Sequence, residues 1–130
     1  MADLNYPADL KYAESDEWIR VEGDTATIGI SDYAQDSLND LVYAEFKTVG
    51  EMLEAGEAFG EIESVKAASE VYVPVAGEII EVNDELEGEP EIVNEDPYGN
   101  GWMVKIKVTD ASNLDNLMDA DAYKAYCESR

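Results

Sequence analysis

The residue best placed for chemistry in this sequence is a lone lysine. Glu63-Ser64-Val65-Lys66-Ala67-Ala68-Ser69-Glu70 lies between two runs rich in β-branched and aromatic residues, 56–63 and 71–82, compositions that suit pleated strands. The spacing predicts a hairpin that carries Lys66 on its turn, with Val71, Val73 and Val75 on the buried face and the lysine tip in solvent. From residue 48 to residue 104 Lys66 is the only cation among fifteen carboxylates. Lysines on turns commonly keep sheet edges apart, but a chain using them that way would spread them along the segment. A single protruding primary amine instead suits enzymatic acylation at one site, a modification that erases its charge.

Other reactive side chains are scarce. The sequence has no histidine, and Cys127 is its only cysteine, so an internal disulfide and a zinc site of the usual ligands are both excluded. Cys127 is assigned to packing. Carboxylates are numerous enough to suggest acid–base pairs. There is, however, no nucleophile elbow and no phosphate-binding glycine loop to complete a catalytic constellation.

Thirty-one acidic residues against eight basic ones give a net charge of −23. Nucleic acid and anionic membrane surfaces would be repelled at long range, whereas basic protein clefts, or a salty habitat, fit the acidity. No apolar run approaches the roughly 20 residues needed to cross a bilayer. The start of the sequence has neither a signal-peptide nor a transit-peptide pattern. A soluble bacterial cytoplasmic protein is expected, or a mitochondrial matrix protein if a transit peptide has been removed.

The elements that must position Lys66 follow from local patterns. A chain of 130 residues is expected to form one domain, with its core over about 10–108 and helices over about 110–129. An irregular lead-in is predicted over residues 1–10. Residues 17–22 and 25–30 alternate around Gly23-Asp24 and predict a hairpin, with Trp18 as a core anchor. Ser31 and Asp32 predict an N-cap and first turn for a short helix that Asn39-Asp40 ends. Strands are predicted over 41–46, 51–54 and 102–108, and loops over 83–90, with at most a helical turn, and over 94–101. Two helices close the chain, a short one over 110–118 and a longer one over 119–129, the latter with Ala122, Tyr123, Tyr126 and Cys127 on one face. Ala55-Gly56-Glu57 and Ala76-Gly77-Glu78 form a weak repeat that suggests two quasi-equivalent β-arms. The local reading gives a mainly β fold of two packed antiparallel sheets with short helices.

Glu63-Ser64-Val65-Lys66-Ala67, the following Pro74-Val75-Ala76-Gly77-Glu78, and the later Val93-Asn94-Glu95-Asp96-Pro97-Tyr98-Gly99-Asn100-Gly101-Trp102 together resemble the family of glycine cleavage system H proteins. The resemblance covers nearly the whole chain from about Leu10. It implies a barrel-sandwich hybrid of the lipoyl and biotinyl type, a carrier rather than an enzyme, and lipoic acid in amide linkage on Lys66. Glu63, three residues before the lysine, and Gly77, eleven after it, match the family's lipoylation pattern.

The resemblance further implies a cycle with three partner enzymes. A pyridoxal-phosphate glycine decarboxylase loads an aminomethyl group onto the lipoyl arm, a tetrahydrofolate-dependent aminomethyltransferase unloads it and releases ammonia, and dihydrolipoamide dehydrogenase reoxidises the arm. Lipoate-attaching enzymes are a fourth class of partner, and a monomer is expected. A cleft matching Ser15, Glu17 and Glu70, with Ile30 on its apolar wall, would shelter the loaded amine. Two positions depart from the family: Asp16 stands where histidine is usual, and Asn39 where glycine is common. A biotin carrier would have methionines where Val65 and Ala67 stand. A paralogue that relays lipoate to other lipoyl domains, and an acidic docking module with an unmodified lysine, are the remaining alternatives.

Overall fold

The structure, a computed structural model, describes residues 4–130. The first three residues of the expected lead-in lie outside the described residues. Two antiparallel sheets pack face to face. The larger is ordered β1 (Lys11–Tyr12), β2 (Glu17–Glu22), β3 (Thr25–Ile30), β9 (Val104–Asp110), β8 (Ala76–Val82) and β5 (Met52–Leu53), and the smaller is ordered β4 (Leu41–Phe46), β6 (Ala58–Ser64) and β7 (Ala68–Tyr72). The mainly β, two-sheet expectation holds.

Local signals account for the first third of the chain. β2 and β3 pair from Glu17 with Ile30 down to Glu22 with Thr25, and Gly23 supplies the left-handed turn residue at φ +65° that a two-residue hairpin loop requires. Helix α1 (Asp32–Leu38) starts on Ser31, whose side chain accepts the Ala34 N–H. That bond satisfies one of the orphan amides of the first turn. Asn39 then ends the helix at φ +66°.

Two expectations are corrected. The run 71–82 is not one strand: the chain leaves the small sheet after Tyr72 and enters the large one at Ala76. Pro74 stands in the crossing, where a residue without an N–H costs no ladder bond. Val71, Val73 and Val75 are all buried nonetheless, because alternation reports the side that is covered and not the sheet that covers it. Nor are the two Ala-Gly-Glu triplets equivalent. Gly56 is a turn residue at φ +88°, whereas Gly77 lies within β8, where a Cβ would sit 2.6 Å from the Lys107 carbonyl oxygen.

Beyond β8 the acidic stretch forms helical turns α2 (Glu85–Gly88) and α3 (Ile92–Glu95), so the loop expected from Asn94 begins inside α3. The segment expected as a helix over 110–118 is a 3₁₀ turn at Ser112–Asn116. Helix α4 (Ala120–Glu128) is capped by Asp119, as predicted, but its buried face consists of Ala120, Tyr123 and Cys127. Ala122, expected on that face, is exposed, since one position past Ala120's neighbour rotates it toward solvent.

The main core fills the space between the sheets with Ile19, Ile28, Phe59, Ile62, Ile79 and Ile106. A second cluster joins α4 to β1 and β2 through Trp18, Tyr12 and Tyr123. The Tyr12 and Tyr123 rings stack with centroids 4.6 Å apart and planes 4° apart. This packing brings the C-terminal end of α4 over the β1–β2 connection. No helix among the described residues is long and apolar enough to cross a membrane.

Candidate functional site

Lys66 sits where β6 turns into β7, and its side chain is exposed. Register pairs Glu63 with Ala68, and the Ser64 N–H donates to the Ala67 carbonyl at 2.7 Å, closing the turn. The Ser64 hydroxyl then holds the loop from inside. Its Oγ accepts the Lys66 N–H at 3.2 Å and the Ala67 N–H at 3.0 Å, and donates to the Ala67 carbonyl at 3.2 Å. From outside, the Asp40 carbonyl accepts the Val65 N–H at 3.2 Å. The backbone beneath Lys66 is therefore fixed by three sets of bonds, while among the described residues its ammonium has no ion-pair partner. Ser64 was not singled out from the sequence, although a hydroxyl immediately before a turn is a recognisable signal of side-chain-to-backbone bonding.

A cleft of about 190 Å³ opens beside this hairpin, lined by Ser15, Glu17, Ile30 and Glu70. The structure thus brings together all four residues expected there. Glu17, at the start of β2, is 1% exposed. Its Oε1 accepts from the Ser15 hydroxyl, and its Oε2 accepts the Tyr72 N–H at 3.0 Å, so one carboxylate joins the two sheets. Burial pushes its pKa up from 4.5 to about 7, against the downward pull of the Ser15 and Tyr72 hydrogen bonds. Two lone-pair positions on this carboxyl remain for a further donor. Ile30, Ile62 and Val71 supply apolar wall.

Glu70 occupies the rim of the cleft. It is exposed, pairs across the sheet with Glu61, and Glu61 pairs with Glu45. Three carboxylates thus stand in a row across the outer face of the small sheet. Like charges directly opposite each other destabilise a sheet. Glu63 lies next to this row, half-buried, on the β6 side of the lysine turn. Gly77 is elsewhere, in the large sheet opposite Val108. Its missing side chain is explained by the approach of β9, with the Ile106 Cδ1 atom 2.8 Å and the Lys107 carbonyl oxygen 2.6 Å from a built Cβ.

Among the cleft residues that sequence reasoning missed are Tyr33 and Arg130. Both line the cavity, and the Arg130 guanidinium lies over the Tyr33 ring at 4.5 Å while it pairs with Asp16. No local pattern signals a contact between residues so far apart in the chain.

An exposed amine on a hydrogen-bonded turn, next to a cleft with a buried carboxylate and apolar walls, fits the attachment of a long acyl arm whose end returns to the protein. The chain is similar to known proteins over nearly its whole length. Residues 10–130 match the family described as Glycine cleavage H-protein. The chain is 57% identical over 122 residues to the glycine cleavage system H protein of Bacteroides thetaiotaomicron, covering 94% of this chain and 97% of that one. To the H protein of Thermus thermophilus it is 52% identical over 126 residues, covering 97% and 98%. The crystal structure of a glycine cleavage system H protein from Mycobacterium marinum superposes with a TM-score of 0.85 at 35% identity, covering 92% of this chain and 97% of that one.

Proposed function

The chain belongs to the glycine cleavage H-protein family, and from that membership and the geometry of the turn we propose that Lys66 is the residue that bears lipoate. The protein is a carrier component of the glycine cleavage system and not itself a catalyst. The observation that carries the proposal is the exposed amine of Lys66 on a backbone fixed by Ser64 and Asp40. In attachment, the deprotonated Nζ attacks the acyl carbon of an activated lipoate. An amide forms, and the activating group leaves.

When bound, lipoate supplies dithiolane chemistry, taking up the aminomethyl group reductively and being reoxidised afterwards. The chain's own residues do the rest. The turn fixes the anchor of the arm, which raises the local concentration of its end at a docked active site. Glu17 offers a buried carboxylate to a cationic amine, Ser15 orients that carboxylate, and Ile30 keeps water from one side; Glu70 places a second negative charge at the rim. An ammonium entering this cleft would favour the ionised form of Glu17.

Glu63 presents the carboxylate beside the turn that a lipoate-attaching enzyme reads. Gly77 contributes indirectly, by letting β8 close against β9. The row of Glu45, Glu61 and Glu70 suits partners with basic docking clefts. Those partners are the pyridoxal-phosphate decarboxylase, the tetrahydrofolate-dependent aminomethyltransferase and dihydrolipoamide dehydrogenase, met by a monomer in the bacterial cytoplasm.

Intact-mass measurement of the protein purified from its native host tests this assignment. A lipoyl increment on Lys66 that disappears in Lys66→Ala is expected, together with loss of glycine cleavage in a reconstituted system and an unchanged fold. A biotinyl increment, no increment, or activity retained by Lys66→Ala would overturn it.

A further inference from the structure

Asn94 lies on α3, within the stretch Val93–Trp102 to which the carrier role assigns no task. Its amide makes three hydrogen bonds to a distant segment. Nδ2 donates to the Asn39 carbonyl at 2.8 Å and to Gln35 Oε1 at 3.1 Å, and Oδ1 accepts the Leu41 N–H at 2.9 Å. The two backbone contacts bracket Asp40. The Asp40 carbonyl is in turn the group that receives the Val65 N–H of the lysine turn at 3.2 Å.

That segment does not hold itself in place. Asn39 has φ +66° and ψ −154°, a backbone region that glycine adopts and asparagine adopts only under constraint. The strand ladder is also irregular at this point: Leu41 pairs with Ser64, but the β4–β6 register shifts before Tyr43. The Asn39 N–H donates to the Gln35 carbonyl at 3.0 Å and Leu41 pairs with Ser64, but neither contact reaches the peptide groups on both sides of Asp40. The Asn94 amide does, with both its oxygen and its nitrogen engaged.

The residues around Asn94 make it a firm point of attachment. Three positions on, the Pro97 carbonyl accepts the indole N–H of fully buried Trp18 at 3.0 Å. The Tyr98 hydroxyl accepts the Asp32 N–H at 2.9 Å. The stretch is therefore tied to β2, which carries Glu17, and to the start of α1. Asn94 is where that tie meets Asn39–Leu41, the segment whose Asp40 carbonyl contacts the lysine turn.

We propose that Asn94 is a positioning residue for modification of Lys66. It locks Asn39–Leu41 so that the Asp40 carbonyl anchors Val65, and this orients the neighbouring Lys66 amine toward an activated acyl group. The inference rests on Lys66 being the attachment site. Misplacing a nucleophile lowers the rate of the bond-forming step more than it weakens docking, so the effect should fall on kcat and leave KM nearly unchanged.

The test uses the full unmodified chain, a purified lipoate-attaching enzyme, lipoate and ATP. The Lys66 Nζ attacks the acyl carbon of the lipoyl adenylate, loses a proton as the amide forms, and AMP leaves. In Asn94→Ala, lipoylation kcat is expected to fall about tenfold and exchange of the Val65 and Leu41 amide hydrogens to quicken by about as much, the scale of one or two lost hydrogen bonds. Exchange in the β2–β3 hairpin should not change.

Asn94→Asp keeps the acceptor for Leu41 but has no donor for the Asn39 carbonyl, so it should match Asn94→Ala in lipoylation kcat and in Val65 exchange while Leu41 exchange stays near wild type. Gln35→Ala removes the third contact, and with it the Gln35 Nε2 bond to Asp32 Oδ1 at 2.6 Å, but leaves both backbone contacts of Asn94 in place and should stay within about twofold of wild type. A folded Asn94→Ala with wild-type kcat and unchanged Val65 exchange would overturn the proposal. Global unfolding of both Asn94 variants would do so too, since it assigns the residue to overall stability. A wild-type chain that takes no lipoate on Lys66 defeats the attachment assignment instead, and is recognised before any variant is made.

Discussion

Arg130 grips Asp16 with two hydrogen bonds of 2.6 and 3.1 Å, one from each terminal nitrogen to each carboxylate oxygen. The guanidinium lies over the Tyr33 and Tyr126 rings at 4.5 and 4.7 Å, and Asp16 also accepts from the Tyr123 hydroxyl at 2.8 Å. These contacts close one side of the cleft that holds Glu17. They depend on the carboxylate at position 16, because a histidine there could not accept both N–H groups.

Removing the arginine should therefore cost more than a surface ion pair does. A bidentate pair stacked on two rings, with side chains 29% and 17% exposed, is expected to contribute about 1–2 kcal/mol. Arg130→Ala should lower the urea midpoint accordingly, and raising the salt to about 1 M should remove part but not all of the difference. A midpoint equal to that of wild type at low salt would mean that the pair contributes nothing.

Glu17 should give the stability of the protein a specific pH dependence. Its carboxyl is raised from 4.5 to about 7, first of all by burial. Between those values the folded chain keeps a proton that the unfolded chain has released, so stability falls as pH rises through that window. The full shift corresponds to about 3 kcal/mol. In Glu17→Gln the amide oxygen can still accept from Tyr72 and the amide nitrogen can donate to Ser15. Its stability should accordingly decline by about 2–3 kcal/mol less than that of wild type between pH 5 and pH 8. Unfolding curves that shift in parallel for the two proteins would refute the raised carboxyl. The variant should also release ammonia faster from the loaded arm, since the charge facing the amine is gone.

Much of this was legible from residues whose signals are local. Gly23 at its turn, Ser31 at its cap and Lys66 between two β-rich runs each act within a few positions of themselves, and each lies where the sequence puts it. Glu17 was legible only through family resemblance, because nothing in its neighbourhood announces that the Tyr72 N–H will meet it from the other sheet. Asn94 and Arg130 were not legible at all. The partners of their side-chain hydrogen bonds lie 53 to 114 residues away, and polar contacts of that range leave no periodicity. The repeat of Ala-Gly-Glu misled for the complementary reason, since identical triplets take their conformation from different surroundings, a free turn for Gly56 and a closed sheet for Gly77.

Gly77 separates packing from recognition. The Lys107 carbonyl oxygen, 2.6 Å from a built Cβ, belongs to the β9 ladder and cannot give way as a flexible side chain would. The β8–β9 register already shifts between Ala76 and Gly77, so further slack is limited. Gly77→Ala is expected to cost about 2–3 kcal/mol, the scale of overpacking against fixed atoms. At a temperature where the variant remains folded, its rate of lipoylation should stay within about twofold of wild type, because a residue in the large sheet acts on the turn only through the fold. Slow lipoylation of a demonstrably folded Gly77→Ala, with Val65 amide exchange unchanged, would instead mean that the attaching enzyme reads the β8 backbone directly.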